Sequence, residues 1–312
     1  MTRMTSNSIK IYAPDKILSI GLQLVNFTSK KVDRNKRSAN ESRFKGHFGS
    51  SPYVLAAIIH DLQTTNIQIA KVRSQDFQIN QFLMAMNHLK AYPKEYEREA
   101  TFNISNKTGR NHVWFYIIKV QALKEQKIVW PNNFGNDEWG LTVDGTHCCI
   151  REPIHPEFSY NPKTYSHKFA KAGLNYELGI SLWSNRLIWM NGPYVAGMND
   201  KSVLLEKGLR AKLLDSKIKA IGDSGYTGNH DVVSCPNVSD TNAVKKFKSR
   251  ALKRHEKFNG LIKTFECFNQ KFRHSQDKFK HSFEAVCVIC QYQIEIDEPL
   301  FDILIEDVIN KM

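Results

Sequence analysis

The stretch Leu141-Thr-Val-Asp-Gly-Thr-His-Cys-Cys149 constrains this chain more than any other. It is an apolar run that reads as a buried strand, and Asp144 is the one acid in it. A carboxylate taken out of water must be paired or bound to metal, which makes Asp144 a candidate metal ligand. The segment Lys217-Ile-Lys-Ala-Ile-Gly-Asp-Ser-Gly-Tyr226 reads as a short strand ending in a glycine-flanked turn. That places Asp223 at a strand's carboxyl end, where α/β folds put their chemistry. A basic helical stretch over about 241–273 carries Glu256, Asn259 and Lys263, spaced three and then four apart, so all three share one helix face. Asp144, Asp223 and Glu256 then form a D, D, E set on strand, strand end and helix, able to hold two divalent cations. Three carboxylates with no required His or Cys suit Mg²⁺ or Mn²⁺ better than zinc.

Charge points to the partner. Lys and Arg number 44 against 31 acids, a net charge of +13, which favours a polyanion and above all nucleic acid. No apolar run reaches the roughly eighteen residues of a membrane span, and the start of the chain lacks a signal-peptide pattern, so an intracellular protein without membrane contact is expected. Six cysteines, with Cys148 and Cys149 adjacent, do not look like a disulfide framework.

Residues 1–43 are polar and are expected to be a mostly disordered basic arm, with a short helix over 17–27 and a cation cluster at 30–37. That cluster suits nuclear import, phosphate contact or simple solvation. A helical domain is expected over 44–130. Ser51-Pro52 caps one helix, a second runs from about 76 to Pro93, and 95–123 reads as helix, turn, helix. In that unit Asn103 can enter the turn with positive φ and Ser105 can cap the second helix. Lys107, Arg110 and Asn111 at its exposed start are residue types that contact phosphates and base edges; a plain helical hairpin is the alternative. Residues 131–138 read as a linker.

The domain over 139–312 begins with the Asp144 strand, which 174–183 and 187–190 extend as a hairpin. Asn199 or Asp200 caps the next helix, and Asp200 is also open to a supporting role at the site. Between Lys245 and Lys280 stand twelve Lys or Arg against three acids, an excess that suits DNA phosphates and includes Lys253, Arg254 and Lys257. Arg254 and His255 flank Glu256 and either touch phosphate or face water. The lone pair Cys287 and Cys290 reads as buried helix cysteines ahead of a metal site.

The segments VDGTH, YSHKFAKAGLNYELGISLW, IGDSGYTG and RHEKFNG, in that order, resemble the nuclease domain of PIF/Harbinger transposases, and the resemblance covers about Phe44 to the end. It implies an α+β chain, with an all-helical helix-turn-helix domain followed by an RNase H-like mixed-sheet nuclease domain of the DDE superfamily. It further implies two-metal phosphodiester hydrolysis and strand transfer, acting on element ends and target DNA in the nucleus. Asp144 would bridge the metals, Asp223 and Glu256 would complete one shell each, and Asn259 and Lys263 would hold the scissile strand. A Myb-like accessory protein and self-association are partners the resemblance leaves open. So are two other functions: a domesticated DNA-binding protein that does not cut, and a host nuclease that does not transpose.

Overall fold

Proline needs no amide hydrogen at a helix start, and the Ser51 hydroxyl accepts from Val54 N at 3.2 Å, so a helix begins where these two residues dictate. The computed structural model of the chain describes residues 12–27, 36–65, 78–134, 138–151, 162–206 and 208–303. Its contacts form two compact units, 1–124 with 265–267 and 281–297, and 125–264 with 268–280 and 298–312. Among the described residues six helices open the first: α1 (Pro14–Leu24), α2 (Arg37–Phe48), α3 (Pro52–Thr64), α4 (Ile79–Ala91), α5 (Glu95–Phe102) and α6 (Asn106–Ala122).

Helix α1 overlaps the short helix expected over 17–27, and α2 begins within the stretch expected to be disordered. Ile17 and Leu22 of α1 and the two phenylalanines of α2, Phe44 and Phe48, are all buried. Gly21 permits the contact, since a Cβ there would lie 2.3 Å from Phe44. The polar composition of α2 concealed it, because a helix needs only one apolar stripe to be held. Arg37, the last residue of the cation cluster, bonds Asp15, Glu41 and the Tyr53 hydroxyl. The rest of that cluster, and the start expected for α4 at 76, lie outside the described residues. The turn between α5 and α6 has the expected chemistry: Asn103 adopts φ 47° and Ser105 accepts from Thr108 N.

The second unit begins at Glu125, within the short helix α7 (Lys124–Lys127), and is built on strands β1 (Trp139–Cys149), β2 (Tyr165–Ser166), β3 (Lys171–Ser181), β4 (Leu187–Val195), β5 (Lys219–Ile221) and β6 (Val233–Ser234). They form one mixed sheet in the order β2-β3-β1-β5-β6, with β4 also on β3. Strands β4, β3 and β1 are antiparallel neighbours, whereas β1, β5 and β6 run parallel. Helices α8 (Asp200–Glu206), α9 (Leu209–Ser216), α10 (Asn242–Lys263) and the short α11 (Glu266–Asn269) follow the hairpin. The sheet serves two cores. Leu141 and Val143 pack with Leu204, Leu209, Leu213 and Tyr226, while on the other face Ile221 of β5 joins Val244, Phe247 and Ala251 of α10.

The last long helix, α12 (Gln276–Ile296), gives residues 281–296 to the helical unit, although sequence order placed all of it with the sheet. An apolar helix is buried by whichever unit has a matching open face. Here Gln293 donates to Gly49 O at 2.8 Å and Lys124 pairs with Glu284 at 2.8 Å. Cys287 and Cys290 are buried in this helix.

Candidate active site

Helix α10 runs along β1 in register. Thr142 Oγ1 is 2.9 Å from His255 Nδ1, Asn259 donates to Asp144 Oδ2 at 3.1 Å and accepts from Thr146 at 2.7 Å, and Lys263 reaches His147 O and, at 3.2 Å, Cys148 Sγ. Two strand residues advance about 6.8 Å and four helical residues about 6 Å, so the steps nearly match. Residues 142, 144, 146 and 148 therefore meet 255, 259 and 263. The Thr146 hydroxyl must donate to the amide oxygen, which leaves the amide nitrogen for Asp144.

Asp144 is the electrostatic centre. Burial pushes its carboxyl up to about 7; Gly145 N, 2.8 Å from Oδ1, opposes the shift, and the negative fields of Asp223 and Asp200 add to it. Asp223 follows β5, where its side chain caps the turn Ser224–Tyr226 by accepting from Gly225 N at 2.8 Å. Asp200 lies in the first turn of α8, and Asn199 takes the cap, accepting from Ser202 N at 2.8 Å. With the cap filled, Asp200 turns inward, where burial and then Asp223 raise its pKa. Two glycines make room. A Cβ on Gly145 would lie 2.6 Å from Asp200 Oδ1, and one on Gly225 would lie 2.9 Å from Asp200 Oδ2 and 3.0 Å from Asp223 Oδ1. Three aspartates thus share one field.

The other expected residues fall into two sets. Glu256 is exposed on α10, three residues before Asn259, as are Lys253 and Lys257; Lys257 donates to Pro299 O at 3.0 Å. Arg254 is buried, lowered by burial to about 10, and its guanidinium donates to the carbonyls of Ser181, Ser184 and Phe301 and to Asn185 Oδ1. His255 is buried too and driven down to about 3, a neutral ring. Arg254 and His255 therefore hold α10 to the sheet and do not face a ligand. Lys263 is turned inward as well, tying α10 to the end of β1. In the helical unit Lys107, Arg110 and Asn111 are exposed at the start of α6, with Arg110 paired to Glu95 at 3.0 Å.

Sequence reasoning passed over Glu177. It lies on β3 opposite Gly145, buried, with Trp189 donating to Oε2 at 2.9 Å and no partner on Oε1. Burial raises it to about 7. The signal was a lone acid in an apolar strand, the same one that singled out Asp144.

The donor set fits a hard cation. It is oxygen-rich, and its three carboxylates repel one another, a repulsion that a cation would relieve. Among the described residues no group of three or more His, Cys, Asp or Glu side chains is arranged to hold a metal ion as it stands. Nor is any described helix long and apolar enough to cross a membrane.

Residues 143–291, just under half of the chain, match the family described as DDE superfamily endonuclease. That match supports a nuclease domain of transposase type. It runs from β1 into α12 and includes Asp144, Asp200, Asp223 and Glu256. No curated protein and no solved structure matches the chain.

Proposed function

We propose that the chain is a transposase-type DNA endonuclease, of PIF/Harbinger kind, whose Asp144, Asp223 and Glu256 hold two Mg²⁺ or Mn²⁺ ions. The carrying observation is the single field shared by Asp144 in the middle of β1, Asp200 at the start of α8 and Asp223 just after β5, with Gly145 and Gly225 making room for the last two. An RNase H-like reading of the sheet is supported by antiparallel β4, β3 and β1 beside parallel β5 and β6. When bound, such ions activate the attacking water and stabilise the leaving 3′ oxygen. Asn259 holds the Asp144 carboxylate in position, Thr146 holds Asn259, and Asp200 adds negative charge against which the ions are drawn in. Glu256, exposed on α10 three residues before Asn259, is assigned as the third ligand on its place in the sequence pattern and not on a contact with the three aspartates. Strand transfer by the freed 3′ hydroxyl, and action in the nucleus, belong to the same reading.

The direct test is incubation of the full chain with supercoiled plasmid and with linear duplex. Nicking or cutting is expected with Mg²⁺ or Mn²⁺ and none with EDTA, and Asp223→Asn should be inert while still binding DNA. Cutting by Asp223→Asn at the wild-type rate would remove that residue from the site.

Gly145→Ala probes Asp200. The new methyl falls on the Asp200 carboxylate and on no backbone atom, so the carboxylate must swing away while the fold stays intact. Displacing a positioned group by about 1 Å costs up to about 10²-fold in rate. Cleavage should drop by that order with an unchanged circular dichroism spectrum; full cleavage would show that Asp200 is dispensable.

Sequence-specific contacts are assigned to the start of α6, and sequence-independent ones to exposed cations of α10. A guanidinium on a base edge is worth about 1–3 kcal/mol of discrimination, whereas a lysine on a phosphate weakens uniformly with salt. Arg110→Ala should narrow the gap between cognate and scrambled duplexes, and Lys253→Ala should weaken both alike and flatten the salt slope. Intact discrimination in Arg110→Ala would transfer recognition to an accessory DNA-binding partner.

A further inference from the structure

The four-residue turn between β2 and β3 presents Phe169 to solvent, 46% exposed. Single exposed apolar residues are ordinary and need no explanation. This one is set apart by what holds it and what surrounds it. Its ring stacks on His147, with centroids 4.4 Å apart and planes at 14°. His147 in turn has its Nδ1 2.9 Å from Asn175 Oδ1, and it lies over Gly173 so closely that a Cβ there would be 2.1 Å from the imidazole. Burial lowers the His147 pKa, with Asn175 opposing and Lys263, Lys168 and Lys171 assisting, so the backing ring is neutral. The turn itself is fixed, since Phe169 N donates to Ser166 Oγ at 3.3 Å. Phe169 is thus an exposed aromatic side chain on a clamped base.

Its surroundings are cationic. Residues 163–175 include Lys163, His167, Lys168 and Lys171 and no acid. Lys168 Nζ is 5.5 Å from the Phe169 ring centroid. Phe169 stacks on His147, three residues along β1 from Asp144, which sets the turn on the strand that carries the carboxylate, and the field of Lys168 acts on both Asp144 and Asp200. An aromatic ring among cations next to a phosphodiester-cutting site matches the physics of single-strand binding, where bases stack on rings and phosphates meet cations.

We propose that Phe169 is a base-stacking post, on which an unpaired nucleobase at the cut site lies while Lys168 and Lys171 meet the flanking phosphates. The assignment rests on the DNA-cutting reading and deepens it: the preferred substrate is DNA locally unpaired at the scissile position. Stacking one base on an aromatic side chain contributes about 1–3 kcal/mol, roughly 5- to 150-fold in affinity.

The test uses the full chain without divalent cation, and two duplexes of one sequence, fully paired or with a single unpaired 2-aminopurine. Wild type should bind the unpaired duplex about tenfold more tightly and quench its fluorescence. Phe169→Ala should lose both the preference and the quench while binding the paired duplex within about twofold of wild type, and Phe169→Trp should keep both. A preference and quench that survive in Phe169→Ala overturn the post, as does a wild type that cuts DNA yet shows no preference. Failure to bind either duplex removes the DNA reading and the post together.

Discussion

Asp144→Asn will abolish metal-dependent DNA cleavage and, in protein freed of divalent cations, make the fold more stable. The loss follows from the site: a bound metal supplies several kcal/mol of transition-state stabilisation, so disabling its shared ligand costs on the order of 10³-fold or more. The gain follows from burial. Asp144 titrates near 7 in place of 3.8, so the folded state binds the proton more tightly than the unfolded chain. Such a group contributes stability below its unfolded pKa, and that contribution is lost as pH rises through the folded one. The substituted amide carries no charge and, like the protonated acid, keeps one carbonyl oxygen for Asn259 while turning a donor toward Gly145 N. Urea unfolding in EDTA should therefore show the two proteins level near pH 4. The variant should pull ahead through pH 7 to a gain on the order of 4 kcal/mol at pH 8. A variant less stable at pH 8 would mean that the carboxylate is held by interactions other than those described.

Glu177→Gln should gain stability over the same window and keep its cleavage. Glu177 moves from 4.5 to about 7, mainly through burial, with the Trp189 hydrogen bond opposing and Asp200 assisting. Its charged form is costly because Oε1 has no partner, and the Tyr194 and Tyr226 hydroxyls are also without one. Gln keeps an oxygen for Trp189 and offers a donor where the carboxylate had none. The gain should be on the order of 3 kcal/mol at pH 8 and vanish near pH 4, read by the same unfolding series. Cleavage lost in Glu177→Gln would bring this residue into the active site. The two variants separate burial cost from catalysis: both relieve the first, and only Asp144→Asn touches the second.

Much of the site could be read from the chain before any coordinates. The run 141–149 is apolar enough to demand a buried strand, and Gly222 and Gly225 mark the turn that carries Asp223. Asn259 and Lys263 face β1, whereas Glu256, expected on the same helix face, is exposed. Helical periodicity is degenerate over one turn, however, and a stripe through 259 and 263 extends equally well to 255 or to 256. The structure turns His255 inward and leaves Glu256 exposed, because a neutral imidazole can be buried against Thr142 at less cost than a second carboxylate beside Asp144. The Asn199-Asp200 pair was ambiguous in the same way. Either side chain can cap a helix, and only the fold shows that Asn199 does so and frees Asp200. Arg254 and Lys263 looked like DNA contacts because net charge counts cations without regard to direction. Here both cations point into the sheet.

Manganese binding tests the cation site most directly. Mn²⁺ titrated into the full chain at pH 8 and followed by electron paramagnetic resonance should show two bound ions in wild type and in Glu177→Gln. Asp144→Asn and Asp223→Asn should each lose affinity by more than the roughly 10- to 100-fold that follows loss of a supporting outer group. Wild-type binding in both aspartate variants, or no binding in wild type, would contradict a metal site built on Asp144 and Asp223.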